Sequence, residues 1–193
     1  MYEKAHAMNR IPALMAALVA MSLSHPAAAE SAASPYVGQQ ARGIKTLSAE
    51  DVAALRNGDG MGMAKAAELN HYPGPRHVLA LARELQLTTG QAAQVTTIRD
   101  RMSAAARPLG DELIERERSL DRLFAQRDIT SDQLTTATAA IGDVQGRLRA
   151  VHLAAHLETR ALLSPEQIAQ YEKLRGYAEA GSPNHEHPAV HRH

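Results

Sequence analysis

Three five-residue stretches dictate where the main helices of this chain must begin. LTTGQ (Leu87 to Gln91), ITSDQ (Ile129 to Gln133) and LSPEQ (Leu163 to Gln167) each place a hydroxyl residue three positions before a glutamine. That is the capping-box spacing: the Thr88, Thr130 or Ser164 hydroxyl accepts from the N3 backbone N–H, and the glutamine side chain returns to the N-cap N–H. The apolar residue ahead of each hydroxyl (Leu87, Ile129, Leu163) can staple onto the first turn, and Pro165 suits the N1 position. Two long helices must then fill the intervals, over residues 89–126 and 131–161. At 1.5 Å per residue these arms are roughly 55 and 45 Å long.

Periodicity supports both arms. Val95, Ile98, Met102, Ala105, Leu109, Leu113, Leu120 and Phe124 recur mostly at three- and four-residue steps, the pattern of an amphipathic helix. Pro108 lies inside this helix and cannot donate to its ladder, so a kink is expected near residues 104–108. The opposite face is charged from Asp111 to Arg122, with pairs such as Glu112 and Arg116 at i,i+4; it reads as a solvated surface. The return arm carries a heptad seam of Leu134, Ala137, Ile141, Val144, Leu148, Val151, Ala155 and Leu162. A hairpin with such narrow, alanine-rich stripes buries little by itself, so a homodimer is its expected completion.

Shorter elements flank the hairpin. Ser48 and Asp51 imitate a capping box for a helix over residues 49–56, with Gly58 as its C′ residue. Gly60 to Met63 leads into a second short helix reaching about Leu69, and Pro75 opens a third, over residues 75–85. The last helix is expected over residues 165–177, before Gly181-Ser182-Pro183 releases a tail. At the other end, Lys4 and Arg10 precede an apolar run from Ile11 to Leu23, followed by Ala27-Ala28-Ala29. This reads as a signal peptide over residues 1–29, and hence a periplasmic protein; the run is short for a membrane span. Met8 is an alternative start. The expected organisation is signal peptide 1–29, leader with two short helices 30–74, helical domain 75–180 and histidine-rich tail 181–193.

Paired Leu-Thr-x-x-Gln-type motifs bounding a long helical hairpin behind a secretion signal resemble the Spy/CpxP family. The resemblance covers roughly Pro75 to Tyr177. It implies an all-α, cradle-shaped homodimer in the periplasm, acting as an ATP-independent chaperone or envelope-stress protein, with metal-responsive relatives. Among its members a sensor kinase is a further class of partner. On this likeness Met102, Leu109, Leu113 and Leu120 are candidate contacts for partly unfolded clients. The near-neutral charge departs from the strongly basic cradle of the family's chaperone members.

Composition narrows the function classes. With one Phe, no Trp and equal numbers of acidic and basic residues, the chain offers neither stacking platforms nor a basic footprint for nucleic acid. Without cysteine it has no thiolate metal site. No nucleophile–base arrangement or glycine-rich phosphate loop stands out, so the reading is non-enzymatic and requires no cofactor.

Histidine is the residue type that carries chemistry. His152 and His156 lie four apart on one helix, so both imidazoles project from one face, close enough to share a Zn, Ni, Co or Cu ion. By the heptad phase they flank the seam and are partly accessible. Two ligands do not complete a site, since Zn²⁺ takes three or four protein donors; His77, Glu158 or a dimer mate would supply the rest. The bland alternative is a pair of polar residues packed against a neighbouring helix. His185, His187, His191 and His193 crowd the tail in a metal-binding composition. Met61 and Met63 are possible thioether ligands for Cu(I), with helix packing as the default, and Tyr171 and Tyr177 read as packing residues. The leading expectation is a chaperone; the alternative is a heavy-metal sensor or resistance protein.

Overall fold

The caps form as the sequence dictates. In the computed structural model, which describes residues 34–177, the hydroxyls of Thr88, Thr130 and Ser164 accept from the backbone N–H of Gln91, Gln133 and Gln167 at 3.1–3.2 Å. Each glutamine Oε1 in turn accepts from the N-cap backbone N–H at 2.8–3.0 Å. The helices that follow are α4 (Thr89–Gln126), α5 (Ser131–Leu162) and α6 (Pro165–Leu174), preceded by α1 (Ala49–Asn57), α2 (Lys65–Glu68) and α3 (Pro75–Ala80). Ser48 and Asp51 complete a fourth capping box at α1. The signal-peptide expectation and the tail histidines lie outside the described residues.

The chain divides after Val37, and the elements from Gly38 onward belong to one all-α unit. Helices α4 and α5 pair along the hairpin, α1 and α3 lie on α4, and α2 lies on α5. Among the described residues no helix is long and apolar enough to cross a membrane. Helix α4 runs through Pro108 to Gln126; the proline and Ala104, whose carbonyl loses its donor, both sit on the exposed side.

Two apolar clusters hold the unit. One joins Leu55 of α1 to Leu109, Leu113 and Ile114 of α4 and to Ile141, Val144 and Leu148 of α5. The other, at the hairpin's open end, gathers Val78, Leu85, Val95, Leu163 and Tyr171. Several expectations are corrected here. Leu109 and Leu113, offered as client contacts, are core residues, and Leu120 packs against that core. Ala106 is buried where Ala105 was expected, because the stripe steps Met102, Ala106, Leu109, Leu113 to follow α1 across α4. Leu134, at the tip of the seam, is 39% exposed, since the short helices cover only the other end of the hairpin.

Helices α3 and α6 stop earlier than their apolar patterns suggest: α3 closes at Ala80, where Leu81 N–H bonds back to His77 O, and turns carry the chain on to Gln86, while α6 ends at Leu174 just before Gly176. Gln86 and Gly176 adopt positive φ (51° and 73°). Paired bonds then close the turns after α3 (Leu87 N–H to Ala82 O, Gln86 N–H to Arg83 O) and the end of α6 (Tyr177 N–H to Glu172 O, Gly176 N–H to Lys173 O). These are Schellman stops, which satisfy orphan carbonyls while turning the chain.

The two outer capping glutamines also do what periodicity did not foretell. Gln91 Nε2 donates to Gln167 Oε1 (2.9 Å) and Gln167 Nε2 to Gln91 Oε1 (3.1 Å). Gln91 further donates to Leu162 O (2.8 Å), and Gln167 to Leu85 O (3.2 Å). The amide pair clasps the start of α4 to the start of α6. Replacing Gln91 with Ala is expected to cost about 2–3 kcal/mol, a cap plus buried partners left unpaired. Gln133→Ala, which loses a cap but no tertiary bond, should cost only about 1 kcal/mol. Urea unfolding of both variants checks the difference, and equal losses would show that the clasp adds nothing.

Candidate functional site

A cavity of about 670 Å³ opens between the residues 57–77 segment and the two long arms, lined by Met102 of α4, Glu68 of α2, His77 of α3, His152 and His156 of α5, and Tyr177. Each element reaches it for a local reason. Schellman bonds at the end of α1 (Asp59 N–H to Ala54 O, Gly58 N–H to Leu55 O) turn the chain toward α5. A second reversal around His71 (φ 67°) then presents Tyr72 and Gly74 to the same face. This segment covers a stripe beside the heptad seam, so the buried face of α5 widens.

That widening corrects the expected accessibility of the histidine pair: His152 is 2% exposed and His156 9%. His156 Nδ1 lies 2.7 Å from Tyr72 O. A carbonyl only accepts, so Nδ1 carries the proton, and in the neutral ring Nε2 keeps its lone pair. A Cβ on Gly74 would fall 2.7 Å from the His156 ring, which is why the backbone passes there as glycine. His152 Nε2 is buried without a hydrogen-bond partner among the described residues. Burial, then the neighbouring His156, depresses the His152 pKa, against an opposing pull from Asp59; the ring is held neutral. Burial also lowers His77, reinforced by Arg175 and opposed by Glu68.

Glu68 is the hub of the far wall. Its Oε1 accepts from Tyr171 OH at 2.5 Å and Tyr177 OH at 3.1 Å. Arg175 Nε lies 3.4 Å and His77 Nδ1 3.5 Å from the same oxygen. Its Oε2 is buried with no hydrogen-bond partner, 3.8 Å from His156 Nδ1. The Tyr171 phenol is pushed far above its ordinary pKa by burial and then by Glu68, so it remains a donor.

The other expected site residues disperse. Glu158 pairs with Arg101 on an exposed surface, and His77 reaches Glu68. Met61 lines the cavity rim while Met63 packs on the first core cluster, so the methionine pair is split. Met102 lines the cavity. The tail residues His185, His187, His191 and His193 lie outside the described residues. Among the described residues no group of three or more His, Asp or Glu side chains is arranged to hold a metal ion. Sequence reasoning missed Glu68, which sits in a four-residue helix too short to show periodicity.

Chemically, the site offers two buried atoms without hydrogen-bond partners at one cavity, an imidazole nitrogen and a carboxylate oxygen, with a second imidazole whose tautomer is fixed by a backbone carbonyl. Fold and site define an all-helical hairpin protein with a histidine- and carboxylate-walled cavity. The chain belongs to the heavy-metal resistance family, whose model matches residues 60–170, a family related to Spy/CpxP-like all-helical proteins. No curated protein matches the chain, and no solved structure does.

Proposed function

We propose that this is a periplasmic metal-resistance protein of Spy/CpxP type, homodimeric and non-enzymatic, that binds a divalent transition-metal ion in the cavity. The observation that carries the reading is the pair of metal-ligating atoms without hydrogen-bond partners, His152 Nε2 and Glu68 Oε2, buried at one cavity. A buried polar atom left without a hydrogen bond costs about 1–3 kcal/mol, a loss that an ion bound by the neutral imidazole and the carboxylate would offset. Imidazole and carboxylate donors suit Zn²⁺, Ni²⁺, Co²⁺ or Cu²⁺, and the Nδ1–H bond from His156 to a carbonyl is the usual device for orienting a metal-binding ring. The donor set is incomplete for a closed site, so it fits an exchangeable ion with open positions rather than a structural one. Chaperone action has less support, since Leu109 and Leu113 are occupied in the core.

The test is calorimetric titration of Zn²⁺ or Ni²⁺ into full-length protein whose four tail histidines are replaced by Gln. Adding His152→Ala and His156→Ala should weaken the tightest site more than about 100-fold, because even outer-shell changes cost 10–100-fold. Circular dichroism confirms that the variants remain helical. Unchanged affinity in the folded double variant would sink the proposal.

A further inference from the structure

We propose that the cavity takes its metal ion together with a small organic anion, a carboxylate-bearing chelator whose outward charge is met by Lys65 and Arg107. The inference rests on the metal-binding reading above and names the class of ligand that completes that site.

The first argument is the donor count. A Zn²⁺-like ion takes three or four protein donors, and no such group stands together among the described residues. The chain's own share is short, so positions at the ion are open to a ligand from solution. Water would fill them, but water accounts for neither the size nor the charge of the cavity.

Size is the second argument. The cavity encloses about 670 Å³, within the range of about 300–1,000 Å³ typical of pockets that hold whole small molecules and far more than an ion needs. Its wall is mixed in the same sense. Met102 and Leu69 give it apolar surface, while His152 Nε2 and Glu68 Oε2 are buried beside it.

Charge decides the kind of molecule. Of the Lys and Arg side chains that line the cavity, Arg76 is matched by Asp59 at 3.1 Å and Arg99 by Asp100 at 2.7 Å. Lys65 and Arg107 form no ion pair among the described residues; Arg107 Nε donates only weakly, to Asn57 O at 3.4 Å. Each stands near one of the metal-ligating groups. Lys65 lies three residues before Glu68 in α2, which puts the two on one helical face. The Gly58–Gly60 loop links Arg107 to His152: a Cβ at Gly58 would fall 3.4 Å from Arg107 Cγ, and one at Gly60 3.7 Å from His152 Nδ1. Neutral imidazoles leave a divalent ion with surplus positive charge, and two unmatched cations stand beside it. An anion balances both. Carboxylate is the fitting group, because its oxygens ligate first-row ions and match the guanidinium fork.

Citrate serves as the probe. Full-length protein with its four tail histidines replaced by Gln is loaded with Co²⁺ and dialysed to equilibrium against radiolabelled citrate at the protein's concentration, and both bound species are counted. Citrate is expected to be retained in proportion to cavity-bound Co²⁺. Lys65→Gln/Arg107→Gln should lower citrate affinity about 10- to 100-fold, the effect of losing hydrogen bonds to a charged group, with Co²⁺ affinity in citrate-free buffer undiminished. Loss of Co²⁺ to the citrate solution, or citrate retention insensitive to both charges, would overturn the proposal while leaving the cavity ion standing. Equal citrate binding without Co²⁺ would also overturn it, by making the cavity an anion site independent of metal. Equal Co²⁺ affinity with and without His152→Ala/His156→Ala would instead remove the reading beneath it.

Discussion

Gly110→Ala is expected to unfold the protein at a temperature lower by about 9 °C, a loss of about 3 kcal/mol. Gly110 lies mid-helix in α4, where glycine is normally a liability and alanine gains about 0.5–1 kcal/mol. Here the gain is overwhelmed. A Cβ at Gly110 would sit 2.3 Å from the Leu55 carbonyl oxygen and 2.8 Å from its carbon. Both atoms are backbone, so no rotamer change relieves the contact, and α1 must move off α4. Leu55, 2% exposed, would leave the first core cluster with it. Gly142→Ala is the control: that glycine is also helical, with nothing within 4 Å of its Cβ position, and its replacement should be neutral or stabilising. Calorimetric melting of both variants decides the matter. A Gly110→Ala protein as stable as Gly142→Ala would mean that α1 is not seated on α4 as described.

Tyr171→Ala should cost about 4 kcal/mol, the range for truncating a fully buried aromatic. Tyr171 is 1% exposed in the second core cluster. Tyr171→Phe isolates the hydrogen bond: the ring still fills its place, while Glu68 Oε1 loses its 2.5 Å donor and keeps Tyr177 OH at 3.1 Å. Hydrogen bonds to charged groups contribute about 1.5–3 kcal/mol, so a loss of about 2 kcal/mol is expected by urea unfolding. A Phe variant indistinguishable from the wild type would show that Tyr177 and Arg175 suffice to hold the carboxylate. Because Glu68 is also the cavity wall, the Phe variant should weaken Zn²⁺ binding as well as the fold, coupling the α6 end of the chain to the site.

Much of the fold was legible in the sequence, and for identifiable reasons. Helices α4 and α5 begin at Thr89 and Ser131 because Thr88 and Thr130 cap them through bonds only three residues long. Helix α1 ends beside Gly58 for an equally local reason. Of the site, the relation between His152 and His156 was legible, since one helical turn fixes it. Their burial was not. A heptad phase sees only the partner helix and takes no account of the Tyr72–Gly74 segment, whose contact with His156 spans 84 positions. The Schellman stop at Gly176 was hidden because Tyr177 follows it, and the close of α3 at Ala80 because Leu81 and Leu85 continue its apolar pattern.

The division follows the range of the forces involved. The sequence by itself determined helix starts, lengths and the charged outer faces, because capping, propensity and i,i+4 pairing act within a few residues. Only the tertiary structure decided that two capping glutamines would clasp each other across 76 positions. It also decided that Glu68 would meet Tyr171 across 103, and that two polar atoms would be buried without hydrogen bonds at one cavity. Those are consequences of dehydration: once the short helices exclude water from one end of the hairpin, every polar group there must find a partner or remain available for one.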